Sequence, residues 1–485
     1  MYMKLSTILK DIKISGNYPD TDIQDLCYDS RKAGEGLLFV CLKGYESDGH
    51  KYAQSAYDKG CRVFCVEDDI VLPTDAVILK AENTRKFLAL ASANFFGHPS
   101  KELLTVAITG TKGKTSTSFM ISSVLSASGR KVGLVGTIGT IIGDKIYKSD
   151  NSTPESYCIH KHFREMVSEG IDTVIMETSS QGFKLDRTYG ILFDIGIFTN
   201  LSPDHIGDGE HADYEEYKSC KKQLFSACKT GFFNANDKET KYMEENASCS
   251  IKEFGTNTSC DYYAAEIGFI ANEGKLLAEY DFCHNSKKTH FIIPHPGKAS
   301  VYNSLCAASV CSFLGISDDV ILKGLKDTVI KGRNEIINTK QGFSVIIDYA
   351  HNELSVKSVF DTLEPYRKGR IFTVFGCGGN RSKLRRYSMG DVITRHSDIA
   401  VITSDNPRFE KLDDIIEDIK TGITSPLGEV IIIKDRKEAI EYCLKKARKD
   451  DIVLIVGKGH QNYEEIEGVK YPFDEKQIVS DFVGI

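Results

Sequence analysis

The sequence predicts an α/β protein built from three domains, and three observations support this. The 485 residues are enough for about three domains of roughly 100–200 residues each. Short apolar runs alternate with helix-like segments, and many runs end directly in glycine or polar residues. A glycine-rich loop stands between an apolar strand and a helix near residue 110. We expect the domains to span residues 1–98, 99–331 and 332–485.

The first domain is predicted to be a small α/β domain. Its apolar runs "GLLFVCLKG" and "CRVFCVED" predict buried strands, and "HKYAQSAYDKG" predicts a helix. The segment "FFGHPSKELL" around Pro99 predicts a linker, because glycine and proline interrupt the periodic pattern there.

The central domain is predicted to contain a parallel sheet of the P-loop ATPase-like kind. From Leu103, the strand "LLTVAITG" is followed by a loop, the helix "TSTSFMISSVLSASG" and the strand "KVGLVGT". Two further buried strands, "DTVIMETSS" and "FDIGIFTN", end in polar loops, and ligands bind at such strand ends. Residues 234–294 are more polar and less regular, which favours an antiparallel addition.

The last domain is predicted to be a second doubly wound, Rossmann-like sheet of about 150 residues. The pattern restarts near Lys331, and each apolar run is followed at once by polar or glycine residues. The runs are "FSVIIDYAH", "GRIFTVFGCGG", "DIAVITSDN", "EVIIIKD" and "DIVLIVGKGH".

Composition argues against several functional classes but not against a small anionic substrate held by local Arg and Lys residues. The net charge of -7 and the pI near 6.0 argue against binding of nucleic acid or an anionic membrane, which requires a basic surface. No apolar run approaches a membrane span, and the first residues lack the apolar core of a signal peptide. The 14 cysteines form no C-x-x-C pair, which predicts reduced thiols in a cytoplasmic protein rather than a zinc site.

The glycine-rich loop "TGTKGKTS" resembles a phosphate-binding loop with unusual spacing. The pattern G-x-x-x-x-G-K-[ST] would place its first glycine at position 108, where Ile108 stands, whereas Gly110 lies two residues closer. Glycines and the helix N-terminus let backbone N–H groups face a phosphate. Lys114 could reach the β- and γ-phosphates, and Thr115 could bind Mg²⁺. The alternative is a glycine turn with a surface lysine.

Two neighbouring strand ends carry candidate metal ligands. Glu177 ends one strand, and Asp204 and His205 follow the next. A carboxylate and an imidazole beside a phosphate loop suit a hard cation with one nitrogen ligand. The alternatives are a helix cap for Glu177 and a packed histidine for His205. By composition alone, the lysines of the helix "YEEYKSCKKQLF" are solvated surface.

The last domain offers groups that suit anions. Arg333 and Asp348 stand near its start, where they could contact a nucleotide. Strand-end loops also supply several groups, and clustered arginines can bind carboxylates in bidentate fashion. These loop residues are Arg381, Arg386, Asn406 and Arg408. The residues alone therefore predict an ATP-dependent enzyme with a carboxylate-binding site in its last domain.

Taken together, the motifs resemble the Mur ligase family, whose phosphate loop has the shorter spacing. The similarity runs from end to end and is to the MurE type, which adds the third residue of the muramoyl peptide. The segments that carry it are "YDSRKAGEGLLFVCLKGYESDGH", "STPES", "METSSQGFKLDR", "FTNLSPDHIG", "GRNE", "DYAHNE", "GCGGNRSK", "TSDNPRFE" and "GKGH".

The resemblance implies a reaction in cytoplasmic peptidoglycan precursor synthesis. ATP phosphorylates the D-Glu side-chain carboxylate of UDP-MurNAc-L-Ala-D-Glu, and the amine of a diamino acid attacks the acyl phosphate. The first domain would bind the UDP-sugar, the central domain ATP, and the last domain the amino acid. The partners are these substrates and Mg²⁺, without nucleic acid or membrane insertion, and the protein is expected to be a monomer.

The resemblance also assigns site residues. ATP binding falls on Gly110, Thr111, Lys112, Gly113, Lys114, Thr115, Ser116, Asn303, Arg333 and Asp348. Catalysis falls on Lys114, Glu177, His205 and Lys221, and Mg²⁺ ligation on Thr115, Glu177, His205 and carbamylated Lys221. The UDP-muramoyl-peptide residues are Ser30, Ser152, Thr153, Ser179 and Arg187. The amino-acid residues are Arg381, Asp405, Asn406, Pro407, Arg408, Gly457 and Gln461. Carbamylation is reasonable because a free ammonium repels Mg²⁺, whereas a carbamate is an anionic ligand.

Several departures from the family bear on the acceptor. "DNPR" is the signature of members that use meso-2,6-diaminopimelate, because Arg408 can pair with the second carboxylate. Gln461 stands where relatives have the glutamate that binds the distal amino group. Gln181 replaces a histidine, and "NRSKLRRY" lacks two acids and a proline of the usual loop. The segment "DHIGDGEH" also departs from the common "DHLDYH". We favour meso-diaminopimelate.

Other functions stay open. The acceptor could be L-lysine or another diamino acid. A folylpolyglutamate or poly-amino-acid ligase is disfavoured by the first domain, which resembles a UDP-sugar-binding module. A relative that partners an amidotransferase would carry a zinc insertion, whose spacing Cys249, Cys260 and Cys283 lack. A catalytically dead regulator is disfavoured because the predicted catalytic residues are present.

Overall fold

The computed structural model describes residues 2–44, 47–149, 151–204, 206–207, 210–272, 274–330, 335–459 and 461–484. It confirms the predicted α/β class with parallel sheets. The chain divides into two compact units, one of residues 1–262 with 309–320 and one of residues 263–308 with 321–485. Within the described part, no helix has the length and apolar character needed to cross a bilayer.

The amino-terminal region forms a four-stranded parallel sheet in the order β3-β4-β5-β6. The predicted runs form β4 and β5, whose side chains are mostly buried, as expected for parallel strands covered on both faces. The strands are β1 Met3–Lys4, β2 Asp22–Ile23, β3 Asp25–Cys27, β4 Leu37–Val40, β5 Val63–Val66 and β6 Val77–Lys80. The helices are α1 Leu5–Ile8, α2 Ala53–Asp58 and α3 Thr84–Phe95.

Residues 101–255 form the larger sheet of the first unit. The strands are β7 Leu104–Thr109, β8 Val132–Gly136, β9 Gly139–Ile142, β10 Lys145–Tyr147, β11 Thr173–Glu177, β12 Phe193–Phe198, β13 Cys228–Asn234 and β14 Ser250–Gly255. The helices are α4 Lys114–Ala127, α5 Ser156–Ser168, α6 Ser180–Lys184, α7 Tyr214–Lys222 and α8 Thr240–Glu244. The order is β10-β9-β8-β11-β7-β12-β13-β14, with antiparallel pairs at β10-β9 and β9-β8.

The register of this sheet places three strand ends together. Glu177 of β11 pairs with Ile108 of β7, and Phe198 of β12 pairs with Thr109. The loops that follow these strands therefore leave the sheet at the same edge. The prediction of an antiparallel addition over residues 234–294 is wrong for β14, which is parallel to β13.

That prediction holds for the strands that follow. β16 and β17 are antiparallel and form a hairpin in the second unit. The elements of this stretch are β15 Tyr262–Asn272, β16 Lys275–His284, β17 Lys287–Ile293, α9 Gly297–Phe313 and α10 Asp318–Asp327.

The rest of the second unit is the predicted doubly wound sheet. Its strands are β18 Glu335–Asn338, β19 Ser344–Asp348, β20 Ile371–Phe375, β21 Ile399–Ile402, β22 Glu429–Ile432 and β23 Ile452–Val456, followed by the hairpin of β24 Tyr463–Ile466 and β25 Val469–Pro472. The helices are α11 Glu353–Leu363, α12 Lys383–His396, α13 Leu412–Gly422, α14 Arg436–Lys446 and α15 Glu475–Val483. The sheet order is β18-β19-β23-β20-β21-β22, and only the β18-β19 pair is antiparallel. Two apolar clusters bury β19, β20, β23 and most of β21, whereas the edge strand β22 is more exposed.

Candidate active site

The glycine-rich loop connects β7 to α4 at the edge where the strand ends meet. Gly110 has a φ of 146°, and Gly113, with a φ of 85°, caps α4. A Cβ on Gly110 would lie 2.0 Å from Oγ1 of Thr199, so only glycine fits there. Asn200 holds the loop: its carbonyl accepts from Thr111 N at 2.9 Å, and its Oδ1 accepts from Lys112 N at 2.9 Å. The loop thus has the strand–loop–helix context that a phosphate site needs.

Lys114 folds back over this loop. Its Nζ donates to the carbonyls of Gly110 and Thr111 at 2.8 and 3.0 Å. Ser116 lies half-buried in the first turn of α4. The Lys114 ammonium is therefore held at the mouth of the loop, where the phosphates of a nucleotide would lie.

Glu177 is the acceptor at the centre of a cluster of hydroxyl groups. It is only 2% exposed, and Thr115 Oγ1 donates to its Oε1 at 2.9 Å. Thr137 donates twice, from N to Oε1 at 3.2 Å and from Oγ1 to Oε2 at 3.0 Å. The helix-cap alternative for Glu177 is wrong, because Ser179 caps α6. A carboxylate and a hydroxyl in contact are hard oxygen donors that fit Mg²⁺.

Lys221 is buried beneath the same loop. It is 2% exposed on α7, and its Nζ donates to the Gly110 carbonyl at 2.9 Å and lies 4.6 Å from the centre of the Tyr217 ring. Burial, and then the nearby charge of Lys114, hold the pKa of Lys221 well below its ordinary value. The interpretation of these lysines as solvated surface is wrong for Lys221, and also for Lys218, which is 9% exposed.

Two of the predicted residues, His205 and Arg333, lie outside the described residues. Asn303 lies on α9 in the second unit. Asp348 ends β19 in the same unit, where its Oδ1 accepts from Ala350 N at 2.7 Å. Their predicted contacts with ATP stay predictions.

Three of the predicted peptide-binding residues are joined to the Glu177 strand end. Thr153 Oγ1 donates to the Glu177 carbonyl at 3.0 Å and accepts from Ser179 N at 2.8 Å. Arg187 Nη1 donates to the Thr153 carbonyl at 2.9 Å. Burial lowers the pKa of Arg187, against the opposing effect of the Glu155 carboxylate.

The remaining two differ in position. Ser152 precedes Thr153 and is half-buried, so it adjoins this cluster. Ser30 lies elsewhere in the first unit, at the start of the 3₁₀ helix Ser30–Lys32, where its carbonyl accepts from Lys59 Nζ at 2.8 Å. Gln181, the departure on α6, has a buried Nε2 without a hydrogen-bond partner among the described residues.

The second unit contains a polar cavity of about 300 Å³ at the carboxyl ends of its strands. Its lining includes six of the predicted amino-acid residues: Arg381, Asp405, Asn406, Arg408, Gly457 and Gln461. Pro407 lies between two of them and packs its carbonyl against Gly379. The lining also includes residues that the sequence did not single out for this site: Tyr349, His351, Gly376, Cys377, Gly378, Ser382 and Arg385. Most of these directly follow the predicted strands, which is the signal that could have found them.

Arg408 and Arg386 both line the cavity but are held differently. Arg408, with a left-handed φ of 54°, donates through Nε to Glu465 Oε2 at 3.2 Å and through Nη1 to the Gly379 carbonyl at 2.7 Å. Arg386 is 1% exposed and donates to two acids of its own unit. These are Glu410 and Asp418, each at 2.8 Å. The hydrogen bond to Glu410 is the main cause that raises the pKa of Arg386. Arg386 is therefore paired with the protein's own carboxylates, and the suggestion that it is among the arginines that bind a substrate carboxylate stays a prediction.

Asn406 is the centre of a buried hydrogen-bond network at the cavity wall. Its Oδ1 accepts from Lys458 Nζ at 3.0 Å and from Glu465 N at 2.9 Å. Its Nδ2 donates to Asp405 Oδ1 and Gln461 Oε1, both at 3.1 Å. Burial lowers the pKa of Lys458, which is fully buried in this network. The network fixes the positions of side chains from two different strand-end loops.

A glycine-rich loop of the phosphate-binding kind with a buried acid beside it, and an arginine-lined polar cavity in a second α/β unit, are features expected of an ATP-dependent ligase. Models of three family domains match the chain. "Mur ligase family, catalytic domain" matches residues 22–96, "Mur ligase middle domain" residues 108–311, and "Mur ligase, glutamate ligase domain" residues 332–459.

Curated relatives match over almost the whole chain. A protein of Clostridium acetobutylicum named UDP-N-acetylmuramoyl-L-alanyl-D-glutamate–2,6-diaminopimelate ligase 1 is 41% identical over 99% of both chains. Proteins of Clostridioides difficile and Bacillus licheniformis, named as the 2,6-diaminopimelate ligase, are 37% and 36% identical. They match over 99% of both chains, and over 98% of this chain and 97% of the relative, respectively.

Solved structures agree with this assignment. A structure of a UDP-N-acetylmuramoyl-L-alanyl-D-glutamate–2,6-diaminopimelate ligase has a TM-score of 0.75 at 26% identity, covering 100% of this chain and 99% of that one. MurF from Acinetobacter baumannii has the same fold, with a TM-score of 0.62 at 18% identity over 100% of this chain and 99% of that one. The chain therefore belongs to the Mur ligase family, and within it to the MurE type.

Proposed function

We propose that this protein joins meso-2,6-diaminopimelate to the D-Glu side-chain carboxylate of UDP-MurNAc-L-Ala-D-Glu, with conversion of ATP to ADP and phosphate. The observation that carries the proposal is the full-length similarity to ligases named for these substrates. We further propose domains at residues 1–98, 99–331 and 332–485 for the UDP-sugar, ATP and the amino acid. The reaction would take place in the cytoplasm, on a monomer that binds neither nucleic acid nor membrane.

The phosphate loop supports the first step, transfer of the γ-phosphoryl group to the substrate carboxylate. In that role, Lys114 would donate to phosphate oxygens instead of to the carbonyls of Gly110 and Thr111. The backbone N–H groups at the start of α4 would face the same phosphate oxygens. Thr115 and Glu177 would hold Mg²⁺, together with His205 and Lys221. The bound ion would neutralise charge on the phosphates. The oxygen donors of Thr115 and Glu177, 2.9 Å apart, suit that ion.

The burial of Lys221 supports its proposed carbamylation. A lysine with a strongly lowered pKa keeps more of its amine neutral, and the neutral amine is the form that attacks CO₂. The new N–C bond gives a carbamate anion, and the amine releases one proton. The product replaces a positive group near the phosphate loop with an anionic oxygen ligand.

The cavity in the second unit supports recognition of the acceptor amino acid. Arg381 and Arg385 line the cavity, and neither forms an ion pair with another residue in the described part of the chain. The hydrogen bonds of Arg408 to Glu465 and Gly379 use its Nε and Nη1 groups and do not involve Nη2. Guanidinium groups bind carboxylates in bidentate fashion, so the lining suits an amino acid with two carboxylates.

The test is ADP release with ATP, Mg²⁺ and UDP-MurNAc-L-Ala-D-Glu while the acceptor is varied. Turnover with meso-diaminopimelate and at most weak turnover with L-lysine or L-ornithine is expected. Preference for L-lysine would contradict the assignment of the acceptor but retain the reaction. Turnover with none of them would contradict the reaction and favour a ligase of the folylpolyglutamate or poly-amino-acid type.

A further inference from the structure

The side-chain amide of Gln461 has one possible orientation, because its neighbours determine it. Lys458 Nζ and Glu465 N both point at the same atom of Asn406, at 3.0 and 2.9 Å. An ammonium and a peptide N–H can only donate hydrogen bonds. The Asn406 atom that meets them must therefore be the oxygen.

The same reasoning extends one step along the network. Because the oxygen of Asn406 faces Lys458, its Nδ2 faces Gln461 and donates to it at 3.1 Å. The Gln461 atom that accepts this bond must be Oε1. That bond occupies one of the two lone pairs of Oε1, whereas the Nε2 group of Gln461, which only donates, keeps both of its hydrogens for the cavity.

Two acids of this network, Asp405 and Glu465, each already accept from a neighbouring side chain through one oxygen. Asp405 Oδ1 accepts from Asn406 Nδ2 at 3.1 Å and lies 3.4 Å from Lys458 Nζ. Glu465 Oε2 accepts from Arg408 Nε at 3.2 Å. Among the described residues, the lining of the cavity includes four arginines but only one acid, Asp405, so its charged groups favour an anionic ligand.

We propose that Gln461 is a specificity-determining residue that donates a hydrogen bond to a carboxylate of the acceptor. On this basis the enzyme selects an amino acid by its second carboxylate and gains little from an amino group beside that carboxylate. The inference rests on the proposed function, because it concerns the amino acid that the ligase joins.

The experiment compares three acceptors: meso-diaminopimelate, 2-aminopimelate, which lacks the second amine, and L-lysine, which lacks the second carboxylate. The wild-type protein should use 2-aminopimelate with a kcat/KM within about tenfold of meso-diaminopimelate. L-Lysine should be at least about a hundredfold weaker, because arginine and amide donors are left without their charged partner.

The variant Gln461→Glu tests the direction of the hydrogen bond. Its carboxylate still accepts from Asn406 but presents an acceptor where Nε2 stood. We expect kcat/KM for 2-aminopimelate to fall at least about tenfold relative to meso-diaminopimelate, since one charge-assisted hydrogen bond is worth about that much. Gln341→Glu, the same change on an exposed turn, should leave the ratio unchanged.

The outcomes separate the two proposals. Turnover of meso-diaminopimelate with a kcat/KM for 2-aminopimelate more than about tenfold lower would overturn the inference but not the proposed function. An unchanged ratio in a stably folded Gln461→Glu variant, checked by thermal melting, would overturn it as well. Absence of wild-type turnover with meso-diaminopimelate would overturn the proposed function, and the inference with it.

Discussion

Replacing Lys221 with methionine separates its chemical role from its structural role. The substitution removes the hydrogen bond from Nζ to the Gly110 carbonyl, a contribution of about 1 kcal/mol. The same carbonyl also accepts from Lys114 at 2.8 Å, so it is not left unsatisfied, which would cost about 1–3 kcal/mol. Methionine has a similar volume and no charge to bury. We therefore expect the free energy of unfolding to fall by no more than about 1 kcal/mol, and to rise at pH values where the buried lysine would carry its charge.

The effect on activity should be much larger. If Lys221 becomes an anionic ligand beside the phosphates, its loss removes charge stabilisation from the reacting centre. Losses of that kind lower kcat by about a hundredfold or more. The assay is ADP release in parallel with urea unfolding. Lys222→Met, which changes the half-buried neighbour on α7, is the control and should keep wild-type activity.

The pH dependence of stability provides a second measurement. Because the folded state lowers the pKa of Lys221, the unfolded chain binds more protons between that lowered pKa and the ordinary value of 10.5. The burial cost is fully present below the folded pKa and is relieved as pH rises through this window. The free energy of unfolding of the wild type should therefore rise with pH relative to Lys221→Met.

Two results would refute this reasoning. A Lys221→Met variant with more than one fifth of wild-type activity would show that no essential ligand was removed. A loss of several kcal/mol of stability would show that the amine is a structural group. Removal of dissolved CO₂ should slow the wild type, and bicarbonate should restore it, if the carbamate forms.

Two further predictions concern the loop and the cavity. Glu465→Ala should raise the KM for meso-diaminopimelate about fivefold at unchanged kcat. The reason is that the ion pair of Glu465 with Arg408, in which both side chains are about one-fifth exposed, contributes about 1 kcal/mol. Glu465→Gln should restore most of the affinity, and a general loss of kcat would contradict a positioning role for Glu465. Gly110→Ala should lower the free energy of unfolding by about 4 kcal/mol, through backbone strain and the clash with Thr199. The control is Gly129→Ala, which should lower it by only about 1–2 kcal/mol, because Gly129 also has a positive φ, 92°, but has open space around it. Equal losses of stability in urea denaturation would contradict the clash.

Much of the fold could be predicted because buried parallel strands leave a clear pattern. The runs of the last domain form β19 to β23, and the loops after four of these strands, β19, β20, β21 and β23, line the cavity. The direction of β14 could not be predicted, because only its last two residues are buried and its partner, β13, is known only from the folded sheet. Strand partners depend on contacts that are distant in the chain.

The candidate site shows the same division. The strand–loop–helix setting of Gly110, Lys114 and Thr115 could be predicted although the glycine spacing is unusual, because it is a local structure. The burial of Lys221 could not, because its helix has the lysine-rich composition of a surface helix. The different hydrogen-bond partners of Arg386 and Arg408 could not be predicted from the sequence either. Their carboxylate partners lie 24 to 57 residues away and become neighbours only in the folded chain.

The contacts between the phosphate loop and Asn200 have a consequence for nucleotide binding. The backbone N–H groups of Thr111 and Lys112 already donate to Asn200, which follows β12. The loop is therefore preorganised before any nucleotide binds. The entropy of ordering the loop is then part of the free energy of folding and does not reduce the affinity for ATP. Association should accordingly be a single fast phase whose rate depends on collision rather than on a slow rearrangement of the loop.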